Sequence, residues 1–282
     1  MKINKNQEKI IDLAWEKLYN RLEQDNLLNE SKLPNRSFFQ SKIVKWSVAA
    51  AILCMCILSG IYIFHNKNVI DNELLVLHNE KNSPVLATVL EDGSAVYLSE
   101  DATIKYPEHF QTDKRIVSFE GDAFFEISKQ PERPFFIYTE LVKIEVLGTS
   151  FSVKTGDNST FLLSVRSGNV KVTLNENNQS ISVKAGEATL FEKGSLHIID
   201  ADLQQYNNYF KKILFKDEHL IDVIKIINQN SQSTQIELSN ELKERRITLT
   251  FSRETPEIMA ELICVALNLN HYQRQNIIYI TE

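Results

Sequence analysis

The sequence has few of the residues on which catalytic and metal sites are usually built. Its 282 residues include only 3 cysteines and 6 histidines, and no two histidines stand at metal-ligand spacing. The patterns G-x-S-x-G, H-E-x-x-H, the P-loop and G-x-G-x-x-G are all missing. We therefore expect no catalytic residue, no metal site and no bound cofactor, and a protein that is not an enzyme.

Disulfide bonds and nucleic-acid binding are also disfavoured. Cys54 and Cys56 lie together in one apolar run, and Cys264 stands alone near the C-terminus, so no ordinary disulfide is expected in the rest of the chain. The net charge is −6 at pH 7, whereas binding to phosphates requires a basic surface. A hydrophobic content of 43% and a length of 282 residues fit about two folded domains.

One long segment carries no charge at all. Trp46 to Phe64 reads WSVAAAILCMCILSGIYIF, and a helix over these residues would rise roughly 28 Å, close to the thickness of the bilayer core. A cleaved signal peptide fits less well because residues 1–45 precede the run and no A-x-A-like site follows. Lys and Arg are in excess before the run. We predict a single transmembrane helix over 46–64 with its N-terminal side in the cytoplasm.

The N-terminal segment contains one amphipathic helix, predicted over residues 8–28. Ile11, Trp15, Leu18 and Leu22 are spaced by four, three and four residues and share one face. A segment this short cannot bury such a stripe by itself, so the stripe requires another protein or the membrane surface. The balance of acidic and basic residues favours a protein.

The rest of the chain predicts a mainly β region followed by a small α+β domain. Seven of the 8 glycines fall between Gly93 and Gly194, and the strands between them alternate apolar and polar residues. This pattern predicts a sandwich, roll or solenoid over 84–200, entered through a linker over 65–83. Residues 206–282 predict the element order βαβ-βαββ.

The β region resembles the FecR family of periplasmic signal-transducing domains. The motifs that carry the resemblance are Asp92-Gly93-Ser94, Gly121-Asp122-Ala123-Phe124-Phe125-Glu126, Arg133-Pro134-Phe135, Leu147-Gly148-Thr149-Ser150-Phe151 and Ala185-Gly186-Glu187. We interpret the following positions in them as structural: Asp92, Gly93, Gly121, Phe125, Glu126, Arg133, Pro134, Gly148, Phe151 and Gly186. Arg133 is interpreted as either a surface charge or a partner of Glu126. The C-terminal domain is similar to the short N-terminal domain of secretins and TonB-dependent receptors.

The resemblance implies a single-pass anti-sigma factor of the inner membrane with its C-terminal domains in the periplasm. Such a protein receives a signal from the signalling domain of an outer-membrane TonB-dependent receptor. It relays the signal to an extracytoplasmic-function sigma factor that controls transcription of uptake genes. By this resemblance Ile11, Trp15, Leu18 and Leu22 would contact the sigma factor.

Two other functions and one mode of signalling also remain as hypotheses. The protein could be an envelope scaffold that self-associates through its β domain or, less consistent with the sequence, a membrane-anchored envelope enzyme. A single transmembrane helix can slide, rotate or tilt, but it has no defined second state through which to transmit a signal. Cleavage by an intramembrane or periplasmic protease near Ser59 and Gly60 is therefore a reasonable way to pass the signal.

Overall fold

The computed structural model describes residues 5–25, 55–59, 74–156, 160–231 and 233–282. The chain divides into two compact units, 1–70 and 71–282, each of which is described by itself. The predicted boundary between the β region and the α+β domain falls inside the second unit.

The first unit contains helix α1, Lys5–Gln24, which confirms the predicted amphipathic helix. The helix begins three residues earlier than predicted and is followed by a turn at Asp25, while residues 26–28 lie outside the described part. The predicted membrane span, 46–64, also lies mostly outside it. Residues 55–59 within that span are helical, and the Ser59 hydroxyl donates to the Cys56 carbonyl at 3.0 Å. Among the described residues, no helix has both the length and the apolar character needed to cross a membrane.

The second unit is mainly β, as predicted. Its strands are β1 (Leu74–His78), β2 (Val85–Val89), β3 (Ala95–Leu98), β4 (Thr103–Pro107), β5 (Arg115–Glu120), β6 (Asp122–Glu126), β7 (Phe135–Tyr138), β8 (Val142–Val146), β9 (Ser150–Gly156), β10 (Thr160–Ser167), β11 (Asn169–Leu174), β12 (Ser180–Lys184), β13 (Glu187–Glu192), β14 (Ser195–Asp200), β15 (Ile213–His219), β16 (Gln235–Leu238), β17 (Arg246–Phe251), β18 (Asn270–Arg274) and β19 (Ile277–Thr281). Its helices are α2 (Leu220–Asn230), α3 (Pro256–Leu267) and two 3₁₀ helices, Leu203–Phe210 and Asn240–Leu242. The order β15-α2-β16-β17-α3-β18-β19 matches the predicted βαβ-βαββ.

Three sheets organise this unit. The front sheet has the order β1-β4-β5-β7-β8-β11-β12, and the shared sheet has the order β14-β13-β10-β9-β6-β3-β2-β15-β17. A small sheet, β16-β19-β18, belongs to the C-terminal part. Alternate side chains of the front and shared sheets meet in one apolar core, which includes Val96, Leu98, Phe125, Phe135 and Phe151. Because side chains on a strand alternate between the two faces, apolar residues at every second position give each sheet an apolar face, and these two faces pack together.

The shared sheet is buried on both faces at its centre. All four residues of β3 are buried. Val96 and Leu98 point into the core between the sheets, whereas Ala95 and Tyr97 join a second core with α2, α3 and the first 3₁₀ helix. The second core forms because β15 pairs in parallel with β2, so the C-terminal domain continues a sheet that begins in the β region.

Two motif glycines permit close approach of the backbone. Gly121 has φ +107°, and a Cβ placed on it would lie 2.6 Å from the Cα of Ala102. Gly148 has φ +152°, and a Cβ there would lie 2.5 Å from the Cα of Lys129. Only glycine fits both the backbone conformation and the space, so the motif positions are structural.

Candidate functional site

Helix α1 presents a stripe of exposed apolar side chains. Trp15 and Leu18 are 64% and 47% exposed and Leu22 is half-buried, while the side chain of Ile11 lies outside the described part. Tyr19, which is 64% exposed, falls on the same face when 100° is counted per residue. The first unit thus carries an apolar surface that its own described residues do not cover.

A buried ion pair anchors the Asp-Gly turn between β2 and β3. The Arg115 Nη1 atom donates to the Asp92 carboxylate at 2.6 Å, and both side chains have 0% exposure. Arg115 also donates to the carbonyls of Arg133 and Ser128, at 2.8 and 3.0 Å, and its guanidinium lies 5.3 Å from the Phe135 ring centroid. Arg115 therefore ties the predicted motif residue Asp92 to the two elements beside it.

The same turn is joined to helix α2. Asp92 accepts hydrogen bonds from the Ser94 backbone N–H at 2.9 Å and from the Ser94 hydroxyl at 2.7 Å. The Lys225 Nζ atom, on α2, donates to the Gly93 carbonyl at 2.6 Å. The turn thus connects the interior of the β region with a helix more than a hundred residues later in the chain.

Sequence reasoning missed Arg115, although a local signal for it exists. Arg115, Val117 and Phe119 alternate along β5, and all three are buried. A charge in phase with the buried positions of a strand indicates a buried partner, since an unpaired buried charge is very costly.

The sequence left open whether Arg133 pairs with Glu126, and the structure shows that this pairing is wrong. Arg133 lies 3.4 Å from the Glu91 carboxylate at a partly exposed position. Glu126 accepts a hydrogen bond from the Tyr97 hydroxyl at 3.1 Å and lies 3.9 Å from Arg166. Burial raises the pKa of Glu126, against the lowering effects of Tyr97 and Arg166. The motif glutamate therefore faces the C-terminal domain, where the Tyr97 side chain packs.

An aromatic cluster fills the junction between the β region and the C-terminal domain. Phe124 projects from β6, and its ring centroid lies 5.4 to 5.8 Å from those of Tyr97, Tyr206, Tyr209 and Phe210. The last three belong to the 3₁₀ helix that joins the two parts of the chain. Such edge and stacked contacts add to the burial of the rings themselves. We call these five residues the junction cluster.

A tyrosine–aspartate hydrogen bond fixes the joining 3₁₀ helix. The Tyr209 hydroxyl donates to the Asp122 carboxylate on β6. Burial and the nearby Asp122 carboxylate raise the pKa of Tyr209 well above its usual range, and burial raises the pKa of Tyr206 to about 12. Both phenols thus stay protonated, so Tyr209 can keep donating its hydrogen bond.

Glu218 lies where β15 meets β2. It accepts hydrogen bonds from the Thr88 side chain and the Val89 backbone, and it faces Asp222 and Arg246. Burial, assisted by the Asp222 charge, raises the pKa of Glu218 to about 7, against the lowering effects of Thr88, Val89 and Arg246. The β2–β15 junction therefore contains a carboxyl group that titrates near neutral pH.

Replacing Glu218 with glutamine is expected to stabilise unit 71–282 at pH 8 by up to about 3 kcal/mol, since its pKa rises from 4.5 to about 7. The cost of ionising the buried carboxyl is absent below about pH 4.5, grows between pH 4.5 and 7 and is complete above pH 7, and glutamine removes it. The measurement is urea unfolding of both proteins from pH 4 to 8. Glu237→Gln, at an exposed position on β16, is the matched control. A constant difference between Glu218→Gln and the unmodified protein across this range would contradict the prediction.

Of the remaining motif residues, Phe125, Phe151 and Pro134 lie in or beside the core, whereas Gly186 is exposed. Phe125 and Phe151 stack in the core between the sheets, with ring centroids 5.5 Å apart. The Pro134 carbonyl accepts from the Arg115 backbone N–H at 2.9 Å. Gly186 has φ +85° in the turn between β12 and β13.

Within the described part, no group of three or more His, Cys, Asp or Glu side chains is placed to hold a metal ion.

The β region of the second unit thus has two packed sheets, turns that contain motif glycines and one turn anchored by a buried ion pair. Residues 83–171 match the FecR protein family, which confirms the resemblance predicted from the motifs. We call this matched part of the chain the FecR domain.

Similarity to individual proteins is more distant. Two crystal structures of a candidate anti-sigma factor from Parabacteroides distasonis ATCC 8503, at 2.50 and 1.65 Å resolution, align with a TM-score of 0.46 and 22% identity. Each alignment covers 74% of this chain and 99% of the other. Among curated proteins, none matches significantly.

Proposed function

We propose that this protein is a single-pass anti-sigma factor of the inner membrane. The match of residues 83–171 to the FecR protein family carries the proposal, because the resemblance to that family implies signal transduction across the cell envelope. The order of the parts supports it: an N-terminal amphipathic helix, an uncharged run over 46–64 and a large β-rich unit. In this arrangement the N-terminus is cytoplasmic and unit 71–282 is periplasmic.

Helix α1 is the element that would bind an extracytoplasmic-function sigma factor. Its apolar stripe is exposed over Trp15, Leu18 and Tyr19, and exposed aromatic residues are frequent anchors of protein interfaces. The helix has four basic and four acidic side chains, so it lacks the positive charge of a helix that binds an anionic membrane surface. A protein groove is the better match for this surface.

Unit 71–282 would receive the signal from the signalling domain of a TonB-dependent receptor. The contacts between its two parts support a relay within the unit. The β2–β15 pairing, the junction cluster and the Lys225–Gly93 hydrogen bond join the FecR domain to the C-terminal domain. A partner that displaces the C-terminal domain would therefore act on the FecR domain through packed and hydrogen-bonded contacts.

Replacing both Trp15 and Leu18 with alanine is expected to weaken binding of the sigma factor at least roughly thirtyfold, equivalent to about 2 kcal/mol. The measurement is the dissociation constant of residues 1–45 for candidate sigma factors. Leu13→Ala is the matched control, because Leu13 is as exposed as Trp15 but lies on the opposite face of α1. No binding by the unmodified segment would refute the sigma-factor role. Equal losses for both variants would show that the stripe is not the contact surface.

A further inference from the structure

The three sheets of unit 71–282 have six edge strands in the described part: β1, β12, β14, β16, β17 and β18. An exposed edge offers free backbone N–H and C=O groups, and proteins usually protect such edges with charged residues, proline or bulges. Lys184, Asp200, Glu237, Arg246 and Arg274 supply a charge to the other five. β1, which reads LLVLH, alone has no Asp, Glu, Lys or Arg.

β1 is also the most exposed apolar edge. Leu74, Leu75 and Val76 are 55%, 43% and 60% exposed, although they are consecutive. Its pairing with β4 runs from Leu74 to His78 without a bulge, so the strand is regular over its whole length. This edge has none of the usual devices that prevent pairing with another strand.

β1 is complementary to itself in the antiparallel direction. A two-fold axis at Val76 places Val76 opposite Val76 of a second copy, Leu75 opposite Leu77 and Leu74 opposite His78. The axis keeps each side chain on its own face of the sheet, so Leu75 lies beside Leu77 of the second copy, and Leu77 packs against the core. No like charges meet in this register, and the apolar side chains cover one another.

The position of β1 in the chain favours a second copy over a free peptide. Only residues 65–73 separate β1 from the predicted span, so the chain can carry the start of the strand no more than roughly 35 Å from the end of the span. Confining every copy of β1 to one thin layer raises the local concentration of identical edges. This step alone rests on the membrane anchoring of the proposed function.

We propose that two copies of this protein associate through β1, in an antiparallel pair centred on Val76 that joins their front sheets. The contact is isologous: each copy uses the same edge, so the assembly closes at a dimer. An open-ended scaffold would need a second free edge of the same kind, and the other five edges in the described part each carry a charge.

Disulfide cross-linking of the full-length chain in membranes tests the register. In a background with Cys54→Ala and Cys56→Ala, Val76→Cys places two thiols directly opposite each other. Their Cα atoms would be about 4.5–5.5 Å apart, within the range of a disulfide. Val76→Cys is therefore expected to give a disulfide-linked dimer under mild oxidation.

Two controls separate pairing at this edge from general proximity. Leu74→Cys alone places its two thiols about 13 Å apart along the strands and should give no dimer, whereas mixing Leu74→Cys with His78→Cys chains should restore it. Ser182→Cys, exposed on β12 at the opposite edge of the front sheet, should not cross-link.

The outcomes distinguish this proposal from the proposed function. Equal cross-linking of Val76→Cys and Ser182→Cys, or an adduct of Val76→Cys with a different protein, would overturn self-pairing. Val76→Lys should abolish the association of the otherwise unmodified chain, because it places like charges opposite each other at an exposed position. Sigma-factor binding measured on the same variants reports on α1 separately, so either proposal can fail without the other.

Discussion

Replacing Arg115 with alanine is expected to lower the free energy of unfolding of unit 71–282 by about 3–5 kcal/mol. The substitution leaves the Asp92 carboxylate, which has 0% exposure, without its cationic partner. It also leaves the carbonyls of Ser128 and Arg133 without a side-chain donor. A buried charge without a partner costs far more than the intact pair contributes, so the loss should exceed that of most single substitutions.

The measurement is urea unfolding, in which the midpoint should fall while the dependence on urea stays unchanged. Arg133→Ala is the control: it removes the same side chain from a partly exposed position beside Glu91 and should cost roughly 1 kcal/mol. The double variant Asp92→Ala with Arg115→Met should be less destabilised than the two single variants added together, because neither charge is then left unpaired. A loss below 1 kcal/mol for Arg115→Ala would contradict a stabilising role for the pair.

The order of the elements could be predicted from the sequence because the signals that define it are local. Asp-Gly is a local signal for a hairpin turn, and Asp92-Gly93 forms such a turn between β2 and β3, with φ +79° at the glycine. Thr-Pro is a local signal for the start of a helix, and Pro256 begins helix α3 after Thr255, although the Thr255 side chain makes no capping hydrogen bond. Each of these features depends on residues within one turn or one strand pair.

The contacts that join the elements could not be predicted in the same way. The alternation along β5 marks Arg115 as buried, but nothing local identifies Asp92, which lies 23 positions earlier, as its partner. The parallel pairing of β15 with β2 likewise brings together residues more than a hundred positions apart. Side-chain periodicity gives the face on which a residue lies and not the element that covers that face.

One sequence feature does indicate the second core. Phe124 and Phe125 are adjacent on β6, and Ala95 to Leu98 form an uninterrupted apolar strand. A strand covered on one face alternates between apolar and polar residues, whereas a strand covered on both faces is apolar throughout. The absence of polar residues in β3 is therefore the local sign that a further layer packs on the shared sheet. That layer is the C-terminal domain.

Phe124 and Phe125 allow the two cores to be separated by experiment. Each phenylalanine has 0% exposure, and each replacement by alanine is expected to cost about 3–5 kcal/mol because both rings fill a packed core. Phe125→Ala opens the core between the two sheets. Phe124→Ala removes the ring at the centre of the junction cluster and takes away the surface on which Tyr206, Tyr209 and Phe210 pack.

The two variants should therefore differ in where they loosen the protein. Under native conditions Phe124→Ala is expected to increase hydrogen exchange and proteolytic cleavage in the joining 3₁₀ helix, residues 203–210, because opening of that helix then requires less free energy. Phe125→Ala, with a similar loss of global stability, should leave that segment more protected. Equal protection in the two variants would contradict the junction cluster as the contact that holds the C-terminal domain. If the difference is observed, Phe124→Ala also becomes a specific way to weaken the contacts between the C-terminal domain and the FecR domain, and so to test the proposed relay, while the two-sheet core stays intact.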